Sequence, residues 1–262
     1  MTDAALQDIR RLVCETQEEW RRTNAQNEEA STPFVTLTYA QSIDGSLTAE
    51  RGKPTLLSGA ASMKMTHMLR TVHDGILVGV GTVLADNPSL NSRLVEGSNP
   101  QPIIIDTHLR CPAGIKLFTL PTCEKPIIMY GRGSQDPEIL KRKQALEALG
   151  ARVFECDTVR GDDGRDHIDL SDAFRVVKQN GINSIMVEGG AAILTSCLQE
   201  AAQRHFLDFV VVTVAPTFIG GLRAVSGVLA PSSAPTCTFP RLQQPSYHVL
   251  GEDLVILGRL NH

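Results

Sequence analysis

What the sequence lacks narrows the field first. None of the six cysteines sits in a CxxC pair, and no His-x-Glu precedes a Pro-Cys-x-x-Cys. Zinc-site, redox-dithiol and zinc-deaminase signatures are therefore missing. The seven histidines show no metal-ligand pairing; His67 and His73, six apart, would not share a helical face. No Gly-x-Ser-x-Gly, P-loop or Gly-x-Gly-x-x-Gly in Rossmann position occurs, which removes three common catalytic or nucleotide-binding signatures. No apolar run approaches the roughly 20 residues that span a bilayer. The N-terminus, rich in Asp, Glu, Gln and Arg, has no apolar core of a secretory signal. Nor is positive charge in excess: 25 Lys+Arg against 29 Asp+Glu give a net charge of −4. That argues against nucleic acid or an anionic membrane as the main partner and leaves room for a local cationic pocket. Cysteines scattered at 14, 111, 123, 156, 197 and 237 suit a reducing, cytoplasmic compartment.

What is present is a regular alternation. A chain of 262 residues with 42% apolar and 21% charged residues can bury a sizeable core without disulfide or metal. Leu6, Ile9, Val13 and Trp20 predict one or two amphipathic helices over 3–30. Strands are predicted at 34–40, 76–80, 103–105, 127–130, 152–154, 184–188 and 206–215. Between them, Ser58 is the expected cap of a helix carrying Ala61, Met65, Met68, Leu69 and Val72. Asp136-Pro137 opens a second helix that ends before Gly150, and Ser171 caps a third ending near Gly181. A fourth covers 191–202, residues 231–245 read as a loop, and 246–260 as a hairpin around Gly251-Glu252-Asp253. The pattern predicts a single α/β domain over 33–262 behind a helical extension at 1–32. Its sheet is mostly parallel and flanked by helices, with an antiparallel C-terminal hairpin.

Ligands of such sheets gather at the carboxyl ends of the strands. Val187-Glu188-Gly189-Gly190-Ala191-Ala192 runs from a strand through two glycines into a helix, either a plain tight turn or a close backbone approach to a phosphate. Gly79-Val80-Gly81-Thr82 leads on to Asp86-Asn87-Pro88 and Arg93; Thr82 and Asp86 either grip one ligand edge or belong to a capped loop. Ser42-Ile43-Asp44-Gly45 is a turn signal, or places an acid at the sheet edge. Arg70 and Arg93 are candidate phosphate grips, and Arg132, in Gly131-Arg132-Gly133, a candidate for a cofactor's 2′-phosphate.

In this order, with Ala215-Pro216 and Gly220-Gly221 behind them, these blocks resemble the riboflavin-biosynthesis reductase family, whose fold is similar to dihydrofolate reductase. The likeness spans about 33–260, and no deaminase precedes it, so it implies the stand-alone fungal and archaeal form that reduces before deamination. That form would use NADPH to reduce the ribosyl side chain of 2,5-diamino-6-(5-phosphoribosylamino)pyrimidin-4(3H)-one to ribityl, as a homodimer. The resemblance places Ala40, Thr82, Asp86, Ile168, Gly189, Gly190, Ala191, Ala192, Ile193 and Leu194 on the cofactor side. It places Ser58, Arg70, Leu90, Arg93 and Glu188 on the substrate side. Glu188 would orient the substrate and stabilise a developing iminium, and Asp44 would relay a proton. Alternatives are a reductase of the deaminated pyrimidine, a pterin reductase and a non-catalytic nucleotide-binding protein.

Overall fold

The computed structural model describes residues 2–24, 32–50, 52–53, 55–133, 136–161, 164–227, 229 and 239–260. The chain opens with helix α1 (Thr2–Asn24), strands β1 (Phe34–Ser42) and β2 (Ser46–Thr48), and helix α2 (Ala60–Thr71). Then follow β3 (Gly75–Gly79), α3 (Val80–Asp86), β4 (Gln101–Ile105), α4 (Lys116–Thr119), β5 (Ile127–Gly131), α5 (Pro137–Ala148) and β6 (Arg152–Cys156). A small ribbon of β7 (Thr158–Arg160) and β8 (Asp166–Ile168) leads to α6 (Leu170–Gln179), β9 (Ser184–Val187) and α7 (Ala191–Ala201). The chain then forms β10 (Phe209–Ala215), β11 (Leu222–Arg223) and a hairpin of β12 (Leu242–Leu250) and β13 (Asp253–Leu260).

Nine strands form one sheet in the order β12-β13-β10-β1-β9-β3-β4-β5-β6. All neighbours from β10 to β6 pair in parallel, while β13 is antiparallel to both β10 and β12. This is the mostly parallel sheet with an antiparallel hairpin that the sequence implies. Side chains alternate between its faces. Leu77, Ile103, Ile105, Ile127 and Met129 pack with α6 and α7 residues such as Phe174, Val177, Leu194 and Cys197. Ile76, Val78, Ile104, Ile128 and Tyr130 face Val83, Leu117 and Leu146 on the other side. Further along that side, Leu6, Ile9 and Val13 of α1 and Met65, Met68 and Leu69 of α2 cover Phe34, Met186, Phe209, Val211, Val255 and Leu257. With Ile9 and Val13 fully buried, α1 is part of the core and not a frayed appendage.

The topology locates the crevice. From β1 the chain steps two places to β3 and walks outward to β6. It returns through α6 to insert β9 between β1 and β3, then crosses to β10 on the far side of β1. Strand succession therefore reverses around β1, β9 and β3, and their carboxyl ends border the ligand-binding edge of such a sheet. His73 ties this centre to α2. Its Nδ1–H donates to Leu69 O (2.7 Å), so its Nε2 accepts from Thr36 Oγ1 (2.8 Å), and burial pushes its pKa down to about 4.

Several expected boundaries move, each for a local reason. Ser58 is not a cap: Gly59 holds that place, and its N–H donates to Asp253 Oδ2 at 2.8 Å, a cap supplied by the distant hairpin. Asp169, not Ser171, caps α6, accepting from Ser171 N. β10 starts at Phe209 and not at 206; Asp208 before it donates its N–H to Val35 O at 3.0 Å and accepts from Val35 N through Oδ2 at 2.7 Å. Leu242 to Pro245 belong to β12 and not to a loop; Pro245 falls where the ladder slips between Gln243 and Ser246, so its missing N–H is tolerated. Residues 231–238 of that expected loop, and 25–30 of the N-terminal stretch, lie outside the described residues. Asp136 does cap α5, accepting from Glu138 N at 2.9 Å.

Candidate active site

The edge is built around the end of β9. Glu188 N–H donates to Leu77 O, holding the strand end against β3. Its carboxylate meets the Arg70 guanidinium of α2 in a fork, Nε to Oε1 at 2.8 Å and Nη2 to Oε2 at 2.7 Å. The two side chains are only 11% and 17% exposed. Burial works against the charge on Arg70, but Glu188 more than offsets it, so the arginine's pKa is raised. Arg70 Nη1 also donates to Asn91 O at 2.8 Å. Three of its donors are thus spent on protein, and it braces α2, β9 and the segment after α3 where an open phosphate grip was expected.

That segment is over-determined. Asn87 (φ 42°) and Leu90 (φ 50°) adopt left-handed backbone, a strained state for leucine. Asn87 Oδ1 accepts Lys116 N, Ser92 N and Oγ both donate to Asn99 Oδ1, and the Leu90 side chain is buried in the core. Leu90, expected to touch substrate, therefore anchors the segment through its side chain. Arg93 emerges from it exposed, its one hydrogen bond among the described residues running 3.3 Å from Nη1 to Asn91 Oδ1, which leaves most of its guanidinium available to an anion.

Two glycines set the start of α7. A Cβ on Gly189 would lie 2.4 Å from Ile193 Cβ, and one on Gly79 3.0 Å from Ile193 Cγ1. Ile193 thus wedges between the ends of β3 and β9 because neither neighbour has a side chain. The same approach brings Gly190 to Thr82, whose Oγ1 would be 3.5 Å from a Cβ there. Gly190 caps α7 without a side-chain hydrogen bond, so among the described residues the first-turn N–H groups of Ala191 and Ala192 have no capping side chain, and the turn at Gly190 lies against the Thr82 hydroxyl. Asp86, one turn further along α3, is exposed and has no ion-pair partner among the described residues; partial burial pushes its pKa up. Ala40 is half-buried at the end of β1. Leu194 and Ile168 are not at the cleft surface as expected: both are buried in the core beneath α6 and α7.

Asp44 changes role. Its Oδ1 accepts from Ser42 Oγ and Ile219 N–H, and its Oδ2 from Ser46 Oγ and Gly220 N–H. Hydrogen bonds from Ser42, then Ile219 and Gly220, hold its carboxyl well below the usual carboxylate range. An acid so occupied stays ionised and is a staple, not a proton relay. It pins the segment after β10 to the end of β1, where Gly221 (φ 76°) passes so close to Ala49 that a Cβ would lie 2.4 Å from its carbonyl oxygen. Nearby, Ser58 lines a groove with Ala215, Pro216, Thr217 and the hairpin turn at Gly251. Arg132 is not free for a 2′-phosphate: its Nε is paired with Asp157 at 2.7 Å, and Asp172 lies 3.8 Å from Nη2. Sequence reasoning missed His67, whose i, i+3 spacing to Arg70 was the available signal.

The fold and this edge define an α/β protein whose sheet gathers a buried ion pair, an exposed arginine and a helix N-terminus at its topological switch. The chain belongs to the RibD C-terminal domain family, whose model matches residues 33–256. It is 36% identical over 201 residues to the 2,5-diamino-6-ribosylamino-4(3H)-pyrimidinone 5′-phosphate reductase of Debaryomyces hansenii, covering 72% of this chain and 76% of that one. Among solved structures it is similar to the riboflavin biosynthesis reductase Rib7 of Saccharomyces cerevisiae, at 31% identity and a TM-score of 0.64 over 91% of this chain and 94% of that one. Acinetobacter baumannii RibD shares the fold, with a TM-score of 0.70 at 20% identity over 92% of this chain and 63% of that one.

The Asp44 staple has a pH signature. Because its folded pKa is depressed, its contribution is present above the unfolded value of about 3.9 and is lost as pH falls below it. Wild-type urea midpoints should therefore drop more steeply between about pH 5 and pH 2.5 than those of Asp44→Asn. Equal slopes would mean that the carboxylate does not hold the segment.

Proposed function

We propose that this protein is the NADPH-dependent reductase that converts 2,5-diamino-6-(5-phosphoribosylamino)pyrimidin-4(3H)-one to its ribitylamino form in riboflavin biosynthesis. The observation that carries this is the pairing of an uncapped α7 N-terminus with Thr82, next to a buried acid and an exposed arginine at one sheet edge. The uncapped N–H groups of Ala191 and Ala192 and the Thr82 hydroxyl fit a dinucleotide pyrophosphate, while Asp86 suits a ribose hydroxyl. Ala40 and Gln41, at the end of β1, lie where the nicotinamide would reach the crevice.

When bound, the nicotinamide supplies hydride to C1′ of the substrate, whose ribosylamine has opened to an imine. The chain's own part is to bind, orient and exclude water. Arg93 takes the 5′-phosphate at the rim, and Ser58 contacts the substrate from the α2 side. Glu188, fixed by Arg70, aims a negative group at the developing iminium without moving during reaction. Since Arg70 already neutralises much of that charge, Glu188 acts by orientation more than by proton transfer. Asp44 takes no part in proton movement, its oxygens being occupied.

Among the described residues no helix is long and apolar enough to cross a membrane, and Cys14, Cys111, Cys123, Cys156 and Cys197 are free thiols. Both support a cytoplasmic enzyme. A second copy of the chain would meet the sheet at β12, an edge strand with Tyr247 63% and Val249 65% exposed. β10 lies inside the sheet between β13 and β1 and offers no edge to a second copy.

NADPH oxidation, followed at about 340 nm with substrate made in situ from GTP by a cyclohydrolase II, tests the assignment. Consumption of the non-deaminated compound is expected; consumption of only the deaminated one would overturn the order, and consumption of neither would overturn the activity. Asp86→Ala should weaken NADPH binding about tenfold, whereas Arg93→Ala should raise the substrate KM about tenfold with NADPH affinity unchanged. Sedimentation should show a dimer that Tyr247→Lys with Val249→Lys splits into monomers; a dimer indifferent to both changes would place the interface elsewhere.

A further inference from the structure

Beside the rim arginine stands a polar group that the proposed chemistry does not use. His67 lies one turn before Arg70 on α2 and is 1% exposed. Its ring Nδ1 is buried with no hydrogen-bond partner among the described residues. A buried ring nitrogen left unpaired opposes folding, so its retention needs a reason beyond packing. His73, six residues on, shows the ordinary solution by using both nitrogens, on Leu69 O and Thr36 Oγ1.

The charged groups that act on His67 come from three elements. Arg70 stands on its own helix, Arg93 on the segment after α3, and Glu188 at the end of β9. Burial first, then the two guanidinium groups, push its pKa down to about 4, with Glu188 opposing them. Two cations against one carboxylate leave the neighbourhood positive, so the ring is neutral. A phosphomonoester dianion seated on Arg93 would reverse that sign, and the ring would then gain by taking a proton from solvent.

We propose that His67 is a positioning residue of the substrate's phosphate seat, which takes up a proton when a phosphomonoester binds at Arg93 and so fixes the anion against α2. This rests on the reading of Arg93 as the phosphate contact. No bond is made or broken; one solvent proton moves to the ring as the dianion arrives. The seat therefore binds the dianion more tightly as pH falls from about 7.5 toward about 6, below which the phosphate loses its second charge.

The test uses the whole protein, histidine-labelled with nitrogen-15, and ribose 5-phosphate as the probe. The His67 resonance is assigned by its loss in His67→Gln, and titrated with and without the probe. Its midpoint should rise by about two units or more when the probe is saturating. Calorimetry near pH 6 in buffers of different ionisation enthalpy should show fewer protons released on binding by the wild type than by His67→Gln, because the ring takes up part of what the phosphate sheds. That variant should also raise the substrate KM about three- to tenfold near pH 6 with little change in kcat. A midpoint indifferent to bound ribose 5-phosphate, or proton release that is equal in wild type and variant, overturns the proposal. If Arg93→Ala still weakens the probe in that case, the reductase assignment stands without it. If ribose 5-phosphate does not bind the wild type at all, the phosphate seat falls together with the proposal. Should His67→Gln not fold, loss of the same resonance in His67→Asn assigns it.

Discussion

A buried guanidinium–carboxylate fork, Arg70 on Glu188, is the contact on which the carboxyl edge depends. Taking two charges out of water costs several kcal/mol each unless the geometry is good and the remaining donors are used. Here both contacts are shorter than 2.9 Å and a third donor goes to Asn91 O. The fork joins three parts far apart in sequence: α2, the end of the inserted strand β9, and the segment that carries Arg93. It adds a direct link between the acid at the crevice and the segment that Leu90, Asn87 and Ser92 already anchor. The same contact explains why Glu188 suits orientation: its position is set before any ligand arrives, so little reorganisation accompanies the reaction.

Around that fork, close packing replaces charge. Gly79 and Gly189 admit Ile193, and Ile193 sets how near the α7 N-terminus comes to Thr82. On the other side of β1, the Asp44 staple and the Asp253 cap of α2 fix the segment after β10 and the helix that bears Arg70. The carboxylates at 44, 188 and 253 thus share a task. Each accepts hydrogen bonds from another element at the sheet edge and makes that edge rigid. Asp86 is the exception, exposed and without an ion-pair partner among the described residues, as a ligand contact would be.

The parallel sheet was legible because its strands are buried on both faces and read as short apolar runs between capped helices. Chain order alone did not show that β9 inserts between β1 and β3, since insertion is a matter of which edges remain open when the chain returns. The caps of α2 and α6 were misplaced for the same reason: Asp253 is remote in sequence, and Asp169 competes with an equally good serine two residues on. Motif resemblance pointed to Thr82, Asp86, Arg93 and the turn at Gly190 but could not tell exposed from buried. Leu90, Leu194 and Ile168 are where that showed, along with Arg132, whose partner Asp157 comes from the neighbouring strand end. His67 was passed over because its spacing to Arg70 was the single signal, and a lone histidine on an apolar helix face is ordinarily core.

The central claim is that one buried pair both holds this edge and serves the substrate. A double-mutant cycle over Arg70→Met and Glu188→Leu, read by urea unfolding and by NADPH turnover, tests it most directly. Each single change should cost about 3–5 kcal/mol by stranding a buried charge, the double change should recover most of that, and turnover should be lost in all three. Additive losses would mean that the pair does not hold the edge, and a double variant that still turns over would mean that the acid does not serve the substrate.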